Sequence, residues 1–247
     1  MLFVLDVSRS MAASARLRSA TRLDRATAAA RRLRAAVPNV AAGVASLTDR
    51  VLPDLFPVPD RSGFDQVVEQ AISIENPPPQ ASAVRATSYD ALRQIPGAGY
   101  FDPRARSRVV VVLTDGESTP VATGEVAAAF AAHPGYHVLF VRIWRAGEAI
   151  YDADGRVESA YRPDPSGGAA LDALASALGG HAYDEGSLGG AEHELQHLVG
   201  HGPATNLPAT VRTETPLAPF SAGLALLAAA LAAALSGAHT GVRWIFR

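Results

Sequence analysis

Two short runs, far apart in the chain, constrain its fold more than any other feature. The chain opens MLFVLDVSRS, an apolar run that ends in Asp6-x-Ser8-x-Ser10. Much later, Arg108–Thr114 is a second such run, continuing into Asp115, Gly116 and Glu117. Each run is too short and too β-branched for a helix, and each predicts a fully buried strand. Placed side by side in a parallel sheet, the two strands deliver their oxygen-bearing residues to one edge. Open α/β sheets bind ligands in the crevice outside the carboxyl ends of their strands. Carboxylates and hydroxyls gathered there make an all-oxygen site of the kind that suits a hard divalent cation.

The rest of the sequence is consistent with such a sheet. The spacing predicts strands over 2–6, 40–48, 51–58, 108–114, 137–144 and 181–183. It predicts helices over 22–37, 64–74, 88–95, 125–132, 168–178 and 188–199. Pro38 stops the first helix, and Pro96-Gly97 stops the short third one. Asn76-Pro77-Pro78-Pro79 reads as loop, and Asp154-Gly155 as the turn of a hairpin over 150–161. Strands separated by helices imply an α/β fold with a doubly wound, mostly parallel sheet covered on both faces.

The chain has 247 residues, enough for one sizeable core. The formal charge of −2 gives no electrostatic footprint for nucleic acid. Every basic residue is Arg, which with the Ala content suggests a GC-rich bacterial genome. There is no Cys, so disulfides and thiolate metal sites are excluded. The opening residues read as a core strand and not as a secretory signal peptide.

Asp6-x-Ser8-x-Ser10 on the first strand, a Thr in mid-chain, and Thr114-Asp115-Gly116 on a later strand resemble a von Willebrand factor type A (VWA) domain. The resemblance covers roughly residues 1–201. It implies a metal-ion-dependent adhesion site that holds Mg²⁺ or Mn²⁺, with Ca²⁺ also compatible. Carried over by residue, Ser8 and Ser10 supply hydroxyl ligands, and Asp6 and Asp115 reach the ion directly or through water. The stretch from Arg85 to Leu92 resembles the family's Thr loop, which runs into a helix reading Tyr89-Asp90-Ala91-Leu92. The family Thr falls nearer Ala86, so the nearest hydroxyl, Thr87, is the expected ligand, with Ser88 in reserve. Glu117 is expected to be a solvated loop carboxylate. Such an ion is left short of negative ligands and accepts an Asp or Glu carboxylate from a protein partner. The motifs hold no general base or nucleophile, which points to binding and not to turnover.

The C-terminal part has a different character. Residues 202–218 are rich in Pro, Thr and Ala and read as a linker. Residues 219–238 carry no charge and are long enough to span a bilayer, and 239–247 form a short tail with Arg243, Trp244 and Arg247. A VWA domain beside a membrane helix is similar to bacterial membrane proteins of the Bat type. In those proteins further membrane helices usually precede the domain, whereas this chain starts on the first strand. The expectation is a single-pass protein of the bacterial cell membrane with the domain outside the cytoplasm.

Two other readings compete. His193-Glu194-Leu195-Gln196-His197 matches H-E-x-x-H on a predicted helix, which would make a zinc hydrolase with Glu194 as general base. His201 follows Gly200 too closely for the third ligand of a metzincin. The other reading is a VWA scaffold whose metal is purely structural. Asp152-x-Asp154-Gly155 lacks the later ligands of a calcium loop and reads as a turn.

Overall fold

A computed structural model describes residues 1–80 and 87–200 of the chain. The linker, the span and the tail expected over 202–247 lie outside the described residues, as do Ala86 and His201. Among the described residues no helix is long and apolar enough to cross a membrane.

Six strands form one sheet: β1 (Leu2–Asp6), β2 (Ala42–Leu47), β3 (Val51–Val58), β4 (Arg108–Thr114), β5 (Tyr136–Arg142) and β6 (His181–Asp184). Their order is β3-β2-β1-β4-β5-β6, and only β3 runs antiparallel to its neighbour. Among the described residues five α-helices accompany them: α1 (Arg22–Ala36), α2 (Arg61–Gln70), α3 (Thr123–Ala131), α4 (Gly167–Ala177) and α5 (Leu188–Val199). The predicted third helix is a 3₁₀ helix, Tyr89–Gly97, that carries Pro96 within it. Tight 3₁₀ turns suit a short connector better than α geometry does. The hairpin expected over 150–161 is reduced to one antiparallel bridge, Tyr151 to Val157, around Gly155. Asp152 fills the turn itself, its Oδ1 accepting from the Asp154 and Arg156 amides.

Alternation along β1 divides its side chains between two cores. Phe3 and Leu5 pack with Leu23, Ala26, Ala30 and Leu33 of α1, Phe64 and Val68 of α2, and Leu195 of α5. Leu2 and Val4 pack with Leu92 and Ile95, Val126 and Phe130 of α3, and Leu171 and Leu174 of α4. Both faces of the sheet are therefore dry, which is why β1 and β4 read as continuous apolar runs.

β1 leads to β2 on one side, and the chain later returns to place β4 on the other side of β1. That is the topological switch point, where a crevice opens at the strands' carboxyl ends. The parallel register pairs Leu5 with Leu113, so Asp6 and Thr114 come next on adjacent strands. A capping box starts α1: Thr21 accepts from the Asp24 amide, and the Asp24 side chain accepts from the Thr21 amide. It brings the first helical residue, Arg22, to the same end of the sheet.

Candidate metal centre

Asp6 is completely buried at the end of β1. Its Oδ1 accepts from the Ser8 amide at 2.9 Å and from Thr87 Oγ1 at 2.7 Å, and its Oδ2 from Thr114 Oγ1 at 2.6 Å. Ser8 Oγ and Ser10 Oγ lie 3.0 Å apart. Hydrogen bonds thus connect four of the five residues singled out by the sequence, Asp6, Ser8, Ser10 and Thr87, and the fifth, Asp115, joins them through Arg22 Nη1, which also reaches the Ser10 carbonyl at 3.5 Å. All five are buried.

Thr87 reaches the crevice because its segment docks on the loop after β4. The Thr119 amide donates to the Thr87 carbonyl at 2.8 Å, and the Ser88 amide donates to Thr48 at 3.0 Å. Thr87, not Ser88, is therefore the hydroxyl turned to Asp6. The two threonines on Asp6 differ in what remains to them. A hydroxyl has one proton and two lone pairs. Thr114 gives its proton to Asp6, and its oxygen accepts from Tyr89 at 2.7 Å and from the Gly116 amide at 3.2 Å. Thr114 is thus saturated, while Thr87 gives its proton to Asp6 and keeps its lone pairs. Gly116 has a φ of 91°, a left-handed turn that lets the chain fold back directly after Asp115.

Behind the hydroxyls lies a charged cluster that the sequence did not reveal. Arg22 is fully buried. Its Nη1 donates to Asp115 Oδ2 at 2.8 Å, to Glu117 Oε1 at 2.9 Å and to Tyr161 Oη at 2.8 Å, and its Nε to Glu148 Oε2 at 2.8 Å. Tyr161 donates to Glu117 at 2.8 Å. Arg25 pairs with Glu148 at 2.6 Å and with Glu185 at 2.8 Å. Glu117 is therefore not a carboxylate in open solvent, since only 12% of its side chain is exposed. Arg22, Glu148, Tyr161, Tyr89 and Thr114 all escaped the sequence reading as site residues. Thr114 and Tyr89 sit inside the two motifs without an assigned role, whereas Arg22, Glu148 and Tyr161 carry no motif and only the fold brings them together.

Burial dominates the electrostatics. It pushes the Asp6 carboxyl above the usual carboxylate range, against the pull of its hydrogen bonds from Thr114, Thr87 and Ser8. Asp115 is pushed up to about 7, first by burial and then by the charges of Asp6 and Glu117, with Arg22 opposing. Burial works against the charge on Arg22, yet Asp115, Glu148 and Glu117 hold its guanidinium firmly protonated. Asp115, Glu117 and Glu148 thus face the guanidiniums of Arg22 and Arg25, while no salt bridge among the described residues reaches Asp6.

The rival motif sits elsewhere. His193 and His197 lie on the exposed side of α5, whose packed face is Ala191 and Leu195. Among the described residues there is no group of three or more His, Cys, Asp or Glu arranged to hold a metal.

No family model matches the chain, and no curated protein does. Solved structures do. An aerotolerance-related membrane protein from Bacteroides fragilis superposes with a TM-score of 0.62 at 19% identity, over 80% of this chain and 96% of that one. BatB from Bacteroides thetaiotaomicron superposes with a TM-score of 0.57 at 20% identity, over 80% of this chain and 97% of that one. The fold is the VWA-like fold of the Bat-type proteins. It extends to more distant relatives: the PilB minor pilin of Streptococcus sanguinis gives a TM-score of 0.53 at 12% identity, over 80% of this chain and 61% of that one.

Proposed function

We propose that the chain is a membrane-anchored, metal-ion-dependent protein-binding module and not an enzyme. One observation carries the reading. Asp6 is a fully buried carboxylate that meets only neutral donors, at the mouth of a crevice lined by further oxygens. Burying a carboxylate without a counter-charge is costly. The donor set fits Mg²⁺ or Mn²⁺, because it offers only hydroxyl and carboxylate oxygens. Ser8, Ser10 and Thr87 would hold the ion through hydroxyls, with Asp6 and Asp115 balancing its charge. When bound, the ion supplies an electrophilic position for the Asp or Glu carboxylate of a protein partner. The B. fragilis protein is described as a membrane protein, which supports membrane association for this chain. Residues 219–238 would be the anchor, and Arg243 and Arg247 after them favour a cytoplasmic tail with the domain outside the cytoplasm.

The test is thermal denaturation of the full chain with and without divalent ions, since a ligand that binds only the folded state stabilises it by mass action. Mg²⁺ or Mn²⁺ should raise the melting temperature of the wild type and leave that of Asp6→Ala unchanged. Equal shifts in both proteins would remove the metal from this site. Capture of a partner from native membranes should likewise fail in chelator. Capture that survives chelation would favour a scaffold whose metal is only structural. Protease added to intact spheroplasts should digest the domain, and protection until lysis would reverse the topology.

A further inference from the structure

We propose that Arg22 is the positioning residue of this metal centre: its guanidinium holds the Asp115 and Glu117 carboxylates off the ion, so that a place remains for the partner's carboxylate. The inference rests on the metal reading above. Nη1 binds Asp115 Oδ2 at 2.8 Å and Glu117 Oε1 at 2.9 Å, while Glu148 fixes Nε at 2.8 Å from the other side. Tyr161 closes the arrangement, bonded at 2.8 Å to both Arg22 and Glu117. The second Asp115 oxygen is also engaged, accepting from the Glu117 amide at 2.9 Å.

The consequence for the ion is chemical. A hard cation is bound more tightly as the number of charged ligands rises. Asp6 is the acid nearest the serine hydroxyls and makes no bond to Arg22, whereas Asp115 and Glu117, the acids contributed from the loop after β4, are both tied to that buried guanidinium. An ion held by Ser8, Ser10 and Thr87 would therefore keep positions open to water, and to an external carboxylate in its place. Arg22→Lys would not replace the fork, because a single ammonium cannot match the separate donors that Nε offers to Glu148 and Nη1 to Asp115.

The experiment compares Mn²⁺ binding by the full chain in wild type and in a charge-balanced double variant, Arg22→Gln with Glu148→Gln. This pair removes one positive and one negative charge, so a change in affinity reports the release of Asp115 and Glu117. Calorimetry should show Mn²⁺ bound about tenfold more tightly by the variant. Water-proton relaxation should show one fewer water on the ion, a change that a merely structural role for Arg22 would not produce. Circular dichroism monitors the fold. If the double variant does not fold, Arg22→Lys should give the same two changes at smaller size. A folded variant with unchanged or weaker Mn²⁺ affinity and unchanged hydration overturns the proposal. Absence of Mn²⁺ binding in the wild type would instead bring down the metal reading, and this inference with it.

Discussion

Two segments of this chain carry metal-ligand patterns, and they end in opposite surroundings. The crevice at the ends of β1 and β4 collects Asp6, Ser8, Ser10, Thr87 and Asp115 from three parts of the chain and buries them all. The H-E-x-x-H on α5 keeps its two His on the side away from the core. Its local spacing is correct, since residues four apart share a helix face. His197 borders an open hollow with Val37, Asn39 and Gln196, but among the described residues no further His, Cys, Asp or Glu joins the two His to hold a metal. A pattern becomes a site where the fold desolvates it and adds distant partners, and only the first pattern has both.

The largest effect that would sharpen this contrast is the loss of Arg22. Arg22→Met leaves Glu148 and Asp115 buried without their cation, and breaking a buried pair this way costs about 3–5 kcal/mol. Chemical denaturation of wild type and variant measures it. A loss below about 1 kcal/mol, the size of a surface pair, would show that the cluster is effectively solvated.

A pH series gives the next effect. The folded chain raises Asp115 from the ordinary 3.8 to about 7, so in that window the native state binds a proton that the unfolded chain has released. The raised acid therefore contributes stability at low pH that is lost as pH rises from about 4 to about 7 in the metal-free chain. A divalent ion competes with that proton. The rise in melting temperature caused by Mn²⁺ should be larger at about pH 8 than at about pH 5.5. A shift independent of pH would show that the ion does not sense the charge of Asp115.

A smaller change tests the saturation of Thr114. Tyr89→Phe removes the hydroxyl that bonds Thr114 at 2.7 Å and should cost about 1 kcal/mol, while Mn²⁺ binding survives. Loss of binding would show that Thr114 is itself a ligand. The smallest effect belongs to α5. His193→Ala and His197→Ala are exposed substitutions and should change stability by less than about 0.5 kcal/mol. They should also leave divalent-ion binding unchanged. A tight zinc lost on His197→Ala would restore the hydrolase reading.

The sequence by itself determined the framework. Buried parallel strands need apolar side chains on both faces, so β1 and β4 were legible as continuous runs, and α1 and α2 as helices between them. The hydroxyl and carboxylate residues at the strand ends were legible for the same reason, because polar residues that terminate an apolar run mark the sheet edge. Thr87 was harder, since its place depends on a loop docking against residues after β4. Only the tertiary structure decided the surroundings of the site. Arg22 looks in sequence like any Arg at the start of a helix, and Glu148 and Tyr161 look like surface residues of a polar loop. Their burial follows from α1 and the segment after β5 meeting over the switch point. A charge is paired or solvated according to what lies across from it in space, and spacing along the chain does not encode that.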